Sequence, residues 1–252
     1  MAIFFKTQKD IEGLRVANKI VAQTLDYVGD FLSNGMSLLE VDKKIDDFIR
    51  QHGAEPAFKG LYGFPNASCL SLNEVVIHGI PDERILKEGD ILGVDIGTKI
   101  GGYFGDSART FPIGKISKQD EDLIACSKDA LYFAIKNIKV GMYFKELSAK
   151  IEKFILDRGY VPLMGYCGHG IGKRPHEEPE ILNYLEGKNA KVGPKIKNGM
   201  VFCIEPMICQ KDGYPVVAAD NWAVTSRDGL RTSHYEHCIA VFNNKVEILS
   251  QA

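Results

Sequence analysis

The chain has 252 residues, 45% of them hydrophobic, and a formal net charge of -2. That length and apolar content supply a large core in one domain, residues 1–252, while dispersed Lys and Arg exclude the basic field that nucleic acid or an anionic membrane requires. No segment nears the ~20 apolar residues that span a bilayer, and the opening MAIFFKTQKD carries no leader-like run, so a cytoplasmic protein with six reduced cysteines is expected.

In chain order, Thr7 caps a helix carrying Ile11, Leu14, Ala17, Val21, Leu25, Val28 and Leu32 at helical spacing, and Asn34-Gly35 ends it. Ser37 and Glu40 form a capping box, and Val41, Ile45, Phe48 and Ile49 give the second helix one apolar face as far as Gly53. A loop rich in glycine and aromatics, Phe58 to Phe64, leads to NEVVIHGI at 73–80, a short strand that turns His78 inward. The stretch ILGVDIGTKIGGYFGDSART at 91–110 reads as a β-hairpin. A turn centred on Ile100 and Gly101 sets Asp95 directly opposite Asp106, with Cβ atoms roughly 5 Å apart. Opposed like charges repel, so these acids face water, or one keeps a proton, or a cation lies between them, a divalent metal first. Helical spacing returns after Ser117 through Leu123, Ala130, Phe133, Ala134 and Ile138, and again from Glu146 to Arg158.

The chain also repeats itself. Residues 35–56 align without a gap on 141–162, and nine of the 22 positions are identical. His78-Gly-Ile recurs as His169-Gly-Ile, and the strand that ends in Asp95 recurs as one that ends in Glu205. By the same logic TSHYEHCIAVF at 232–242 offers Glu236 as the counterpart of Asp106. The expected architecture is α/β (α+β), with two pseudo-symmetric halves, roughly 10–112 and 117–242, sharing one sheet.

Four acids and one or two inward histidines are too many like charges for a dry site without cations. Two divalent ions would neutralise Asp95, Asp106, Glu205 and Glu236. Oxygen ligation with one imidazole and no thiolate favours Mn, Fe(II) or Co and also allows Zn. Paired metals polarise carbonyls, which is hydrolytic chemistry. Pro206 holds Glu205 extended, where it serves as ligand and general base or stands as a strand-end surface acid. His169 lies between glycines in CGHGIG and by itself reads first as a buried structural histidine, His176 lies in RPHEEP and reads first as a surface one, and a functional role is the alternative for each. His52, at a helix end, and His237, alternating away from Glu236, read as structural.

These motifs resemble the methionine aminopeptidase family of the short bacterial kind, with its pita-bread fold, which implies a curved, mainly antiparallel sheet covered by helices. The stretches that carry the resemblance are NEVVIHGIPD, DIGTKIGGYFGDSART, GHGIGKRPHEEP, GMVFCIEPM and TSHYEHCIAV, in that order and across most of the chain. The resemblance implies removal of initiator methionine from nascent polypeptides at a dinuclear centre. Asp95, Asp106, His169, Glu205 and Glu236 fall on its five metal-ligand positions, with Asp106 and Glu236 bridging. His78 falls on the histidine that contacts the scissile amide, His176 on the one that steadies the carbonyl, and Glu205 on the proton-shuttling glutamate. A bridging hydroxide would attack the first peptide carbonyl. Phe58, Tyr62, Phe64, Cys69 and Trp222 would form the methionine slot, and a monovalent cation would sit near Asn73, Val75 and Thr232. Pro175 stands where many relatives carry phenylalanine, and Leu61 where others carry tyrosine, so the slot's outer wall departs from the pattern. The resemblance also implies a monomer without membrane or nucleic-acid partners, in transient contact with ribosomes. It implies a chain with neither a zinc-binding N-terminal extension nor a long second-half insertion. An Xaa-Pro aminopeptidase or prolidase on the same fold, and a non-catalytic peptide-binding member, are the competing readings.

Overall fold

The computed structural model describes residues 2–251. Its first half contains α1 (Gln8–Phe31), α2 (Leu38–Gln51), β1 (Glu55–Pro56), β2 (Ser68–Leu72), β3 (Val75–Ile77), β4 (Ile91–Ile100) and β5 (Tyr103–Pro112). The second half opens with α3 (Lys118–Asn137), α4 (Phe144–Leu156), β6 (Val161–Pro162), β7 (Cys167–Gly170), β8 (Glu177–Leu182) and β9 (Met200–Ile204). It closes with β10 (Met207–Cys209), β11 (Pro215–Val217), β12 (Val224–Ser226), β13 (Thr232–His234), β14 (His237–Phe242) and β15 (Lys245–Ile248).

The helix starts are where the capping residues put them. Thr7 and Asp10 exchange hydrogen bonds at the head of α1, and Ser37 and Glu40 do so at α2. In the repeat Tyr143 replaces Ser37 and only the glutamate half of the motif survives, Glu146 Oε2 accepting the Tyr143 N–H at 2.9 Å. That cap starts α4 two residues before Glu146, the start expected from the sequence. Gly53 and Gly159 close the two helices in the left-handed region, at φ 77° and 81°.

The duplication is structural. The Gly35 N–H donates to Leu86 O and the Gly141 N–H to Ile196 O, both at 2.8 Å, and the return bonds to Met36 O and Met142 O are matched too. Tyr27 stacks on Phe48 at 4.4 Å between ring centroids, and the repeat-related pair Phe133 and Phe154 stacks at 4.6 Å. Each half has its own core. Ile45 and Ile49 of α2 pack with α1 against β2 and β4, whereas Ile151 and Ile155 of α4 pack with α3 against β9 and β14. A third cluster, Ile11 and Leu14 with Val201, Cys238 and Ala240, joins α1 of the first half to strands of the second.

Every ladder between named strands is antiparallel, and the expected sheet is laddered in four pieces: β1-β4-β2 with β5 on β4, β15-β14-β9-β7-β8, β13-β10-β6 and β11-β12-β3. The halves meet where β5 runs beside the β13–β14 segment. There the Glu236 N–H donates to Ala108 O at 2.9 Å, the Ser107 hydroxyl to Glu236 O at 2.5 Å, and the Thr110 hydroxyl to His234 O at 2.9 Å.

Three sequence expectations about register are corrected by these ladders. The β4–β5 turn is centred on Gly101 and Gly102, both at positive φ, and not on Ile100 and Gly101. Only the Gly-Gly pair meets the demand of a two-residue turn for positive φ at both positions. Asp95 therefore faces Ala108 and Asp106 faces Gly97, although a slip of two residues keeps both acids on one face. Second, Glu236 is not the internal counterpart of Asp106. Gly89 and Gly199 donate to Ile113 O and Val241 O respectively, and counting back from those carbonyls matches Ala108 with Glu236 and Asp106 with His234. Third, the His-Gly-Ile echo is not a structural equivalence. His169 lies on β7, which pairs with β9 much as β2 pairs with β4, whereas His78 follows β3.

Candidate metal centre and substrate pocket

The side chains nominated from the sequence as metal ligands, catalytic histidines and methionine slot all line one cavity of about 420 Å³, whereas Asn73, Val75 and Thr232 lie outside it. Asp95 and Asp106 enter from β4 and β5, His169 from β7, Glu205 from the end of β9, and Glu236 from the two-residue break between β13 and β14. Buried Asn18 of α1 accepts the Asp106 N–H at 3.2 Å, and Asn183 donates to the Glu205 carbonyl at 2.9 Å, so both acid-bearing segments are held from behind. His78 sits just past β3 with φ 58°, a left-handed conformation that non-glycine residues hold only where the surroundings enforce it. His176 precedes β8, and its neighbour Glu177 makes a buried ion pair with Lys6, while Ile3 bridges to Glu178. The N-terminal strap thus backs the histidine loop.

The acids converge. Donor atoms of Asp106, His169 and Glu236 lie within 4.8 Å of one another. His169 Nε2 is 3.8 Å from Asp106 Oδ2 and 3.7 Å from Glu205 Oε1. Its Nδ1 faces Gly170 O at 3.0 Å, which places the proton on Nδ1 and leaves the Nε2 lone pair directed at the carboxylates. Asp95 Oδ1, Asp106 Oδ1 and Glu236 Oε1 are buried without a hydrogen-bond partner. Burial pushes the Asp95 carboxyl up to about 7, a hydrogen bond from Asp106 working against it. Burial first, then the neighbouring carboxylates, raise Asp106, Glu205 and Glu236 well above the ordinary range. Oxygen atoms left unpaired, beside an imidazole whose lone pair points at them, fit divalent cations. Cys203 is near enough to join the set, but burial and then Cys238 hold its thiol protonated.

Burial lowers His78 to about 4 and lowers His176, so both imidazoles are neutral near pH 7 and each keeps one N–H to donate. The rings of His169 and His176 meet edge to face at 4.4 Å. Phe58, Phe64 and Cys69 form one apolar cluster with Trp222 against it, and Trp222 meets Phe64 edge-on at 5.1 Å. Gly97 makes room for that wall, because a Cβ there would lie 2.5 Å from the Phe58 ring. Tyr62, 75% exposed, lies nearly parallel to His176 at 6.0 Å, so an aromatic from the Phe58–Phe64 loop stands beside that histidine at the cavity's rim. His237, read as structural, bonds to Tyr132 and Ser250, away from the cavity.

Sequence reasoning missed His234, Tyr166 and Cys167. Tyr166 lies edge-on to His78, and Cys167 stands across from Glu205, in the place Cys69 holds beside Asp95. His234 is buried, with Nε2 3.8 Å from Glu205 Oε2. Its place in TSHYEH, two residues before Glu236 on an alternating strand, was the available signal.

Comparison with known proteins agrees with this geometry. The model for metallopeptidase family M24 matches residues 12–241. A methionine aminopeptidase of Helicobacter pylori strain J99 is 60% identical over 252 residues, 100% of each chain. That of Escherichia coli K12 is 38% identical, over 99% of this chain and 94% of its own. Methionine aminopeptidase from Thermotoga maritima superposes with a TM-score of 0.96 at 34% identity, with 100% of both chains covered. A prolidase from Pyrococcus furiosus, at 23% identity and a TM-score of 0.80 over 98% of this chain and 65% of that one, shares the fold. The chain belongs to metallopeptidase family M24. Within that family it is similar along its whole length to the methionine aminopeptidases, and the fold is the expected pita-bread fold.

Proposed function

We propose that this chain, acting as one catalytic domain, removes the N-terminal methionine of peptides and nascent proteins by metal-assisted hydrolysis. The observation that carries the reading is the meeting of Asp95, Asp106, Glu205 and Glu236 with His169 in one cavity, three of these acids each with a buried oxygen that has no hydrogen-bond partner, beside an apolar slot of Phe58, Phe64, Cys69 and Trp222. Asp95, Asp106, His169, Glu205 and Glu236 would hold two divalent ions drawn from Co, Mn, Fe(II) and Zn. Such ions supply Lewis acidity and generate a nucleophile from water at neutral pH.

The chain's own residues do the rest. The apolar slot, with Tyr62 at its rim, takes the thioether side chain and places the first peptide bond beside the two neutral histidines. His78 and His176 donate N–H to the scissile amide and to the carbonyl oxygen as charge builds on it. Glu205, whose carboxyl is raised by burial, takes a proton and returns it to the leaving amine. Asn73 O and Val75 O converge on the Thr232 hydroxyl at 3.3 and 2.9 Å, which supports a monovalent-cation site there. The same reading makes the protein a cytoplasmic monomer that meets nascent chains at the ribosome, and among the described residues no helix is long and apolar enough to cross a membrane.

The test is methionine release from Met-Gly-Met by chelator-stripped protein with Mn(II) or Co(II) added back. Release that returns with metal supports the reading. Metal binding with cleavage of Xaa-Pro peptides alone would give the prolidase reading instead, and binding with no cleavage would give a peptide-binding protein.

A further inference from the structure

His234 is an imidazole at the metal centre to which the proposed chemistry gives no task. It is 3% exposed, and its Nε2 is one of the buried polar atoms without a partner. Leaving such a nitrogen unpaired is costly, and this one points at Glu205 Oε2, 3.8 Å away, while His169 Nε2 faces the other oxygen, Oε1, at 3.7 Å. The backbone beneath it is fixed. Thr110 Oγ1 accepts the His234 N–H at 3.0 Å and donates to the His234 carbonyl at 2.9 Å, and β13 pairs His234 with Met207, two residues past Glu205. The internal repeat adds an independent reason, since His234 occupies in the second half the place that Asp106 holds in the first.

We propose that His234 is the positioning residue for Glu205. Its Nε2–H donates to Oε2 and fixes the rotation of the carboxylate, so that Oε1 stays directed at the cation site beside His169. Closing the gap to the ~2.9 Å of an ordinary N–H···O bond takes a side-chain shift of roughly 1 Å. The inference rests on the reading of Glu205 as a metal ligand and proton carrier, and it adds a residue to which that reading assigned no role.

The experiment compares His234→Leu, which removes the donor, with His234→Gln, whose amide N–H reaches about as far. Chelator-stripped proteins are titrated calorimetrically with Mn(II), and kcat and KM are measured on Met-Gly-Met. His234→Leu is expected to weaken metal binding about tenfold and to lower kcat by a similar factor with KM nearly unchanged, as loss of an outer partner of a ligand does. His234→Gln is expected to recover most of both. Wild-type affinity and kcat in His234→Leu would overturn the proposal, as would Gln as impaired as Leu in proteins that melt alike. If His234→Leu does not fold, His234→Asn, whose amide is too short, takes its place, and equal metal affinity in Asn and Gln would overturn the proposal. Wild-type protein that binds no Mn(II) would remove the proposed function as well, whereas tight wild-type binding unaltered in His234→Leu removes only the role of His234.

Discussion

The two halves of this molecule share a scaffold and differ at its centre. α2 and α4 present the same buried isoleucines, and the same glycine hydrogen bonds tie the segments before α2 and α4 to strand-side loops. At the middle of the sheet the likeness stops. The first half places acids at Asp95 and Asp106 with Ala108 opposite Asp95, whereas the second places acids at Glu205 and Glu236, with His234 where Asp106 would be. Duplication supplied the cradle, and exchanging Ala for Glu and Asp for His across the pseudo-twofold made one asymmetric site from two similar strand pairs.

The sharpest way to break this comparison is to remove a shared acid. Asp106→Asn or Glu236→Gln is expected to abolish release of methionine from Met-Gly-Met, by more than the ~100-fold that loss of an outer-shell partner costs, with the protein still folded by circular dichroism. Full activity in either variant would remove the bridging assignment. Next in size is the scaffold itself. Ile45→Ala and Ile151→Ala, repeat-related and both fully buried, are each expected to cost about 2–5 kcal/mol in urea unfolding. A loss in only one of them would show that the halves do not carry equal weight.

A smaller effect is expected from pH. The Asp95 carboxyl, near 3.8 when unfolded, sits at about 7 in the fold, and its three neighbours are raised as well. Between those values the folded state holds more protons than the unfolded one, so stability falls as pH rises. Metal-free protein should therefore lose several degrees of Tm between pH 5 and pH 8, and protein loaded with Mn(II) should not. Parallel Tm curves for the two forms would sink the account of the acids. Smallest is Tyr62→Ala, which leaves the metal ligands untouched and removes one rim aromatic. KM for Met-Gly-Met should rise a few-fold, in line with about 0.5–1.5 kcal/mol for such ring contacts, with kcat almost unchanged.

Much of this was legible in the sequence because local chemistry fixed it. Thr7, Ser37 and Glu40 announced helix starts, the repeated Gly-Met segments announced the halves, and Asp95, Asp106, His169, Glu205 and Glu236 stood in motifs that converge as expected. What failed was register. Ile100-Gly101 and Gly101-Gly102 both look like turns, and only backbone dihedrals choose between them. The recurrence of His-Gly-Ile misled because three residues of shared spelling do not specify which strand is paired. His234 escaped notice because a lone histidine on a short strand reads as a structural residue, and its free nitrogen is visible only once Glu205 is folded against it.

The strap of residues 3–6 has a consequence for how chain ends are admitted. Lys6 on Glu177 and Ile3 on Glu178 clamp the loop bearing His176 from behind, while Tyr62, on the facing loop, stands between Gly60 and Gly63 with 75% of its surface in solvent. A peptide end that enters the cavity therefore passes an exposed aromatic on one side and meets a braced histidine loop on the other.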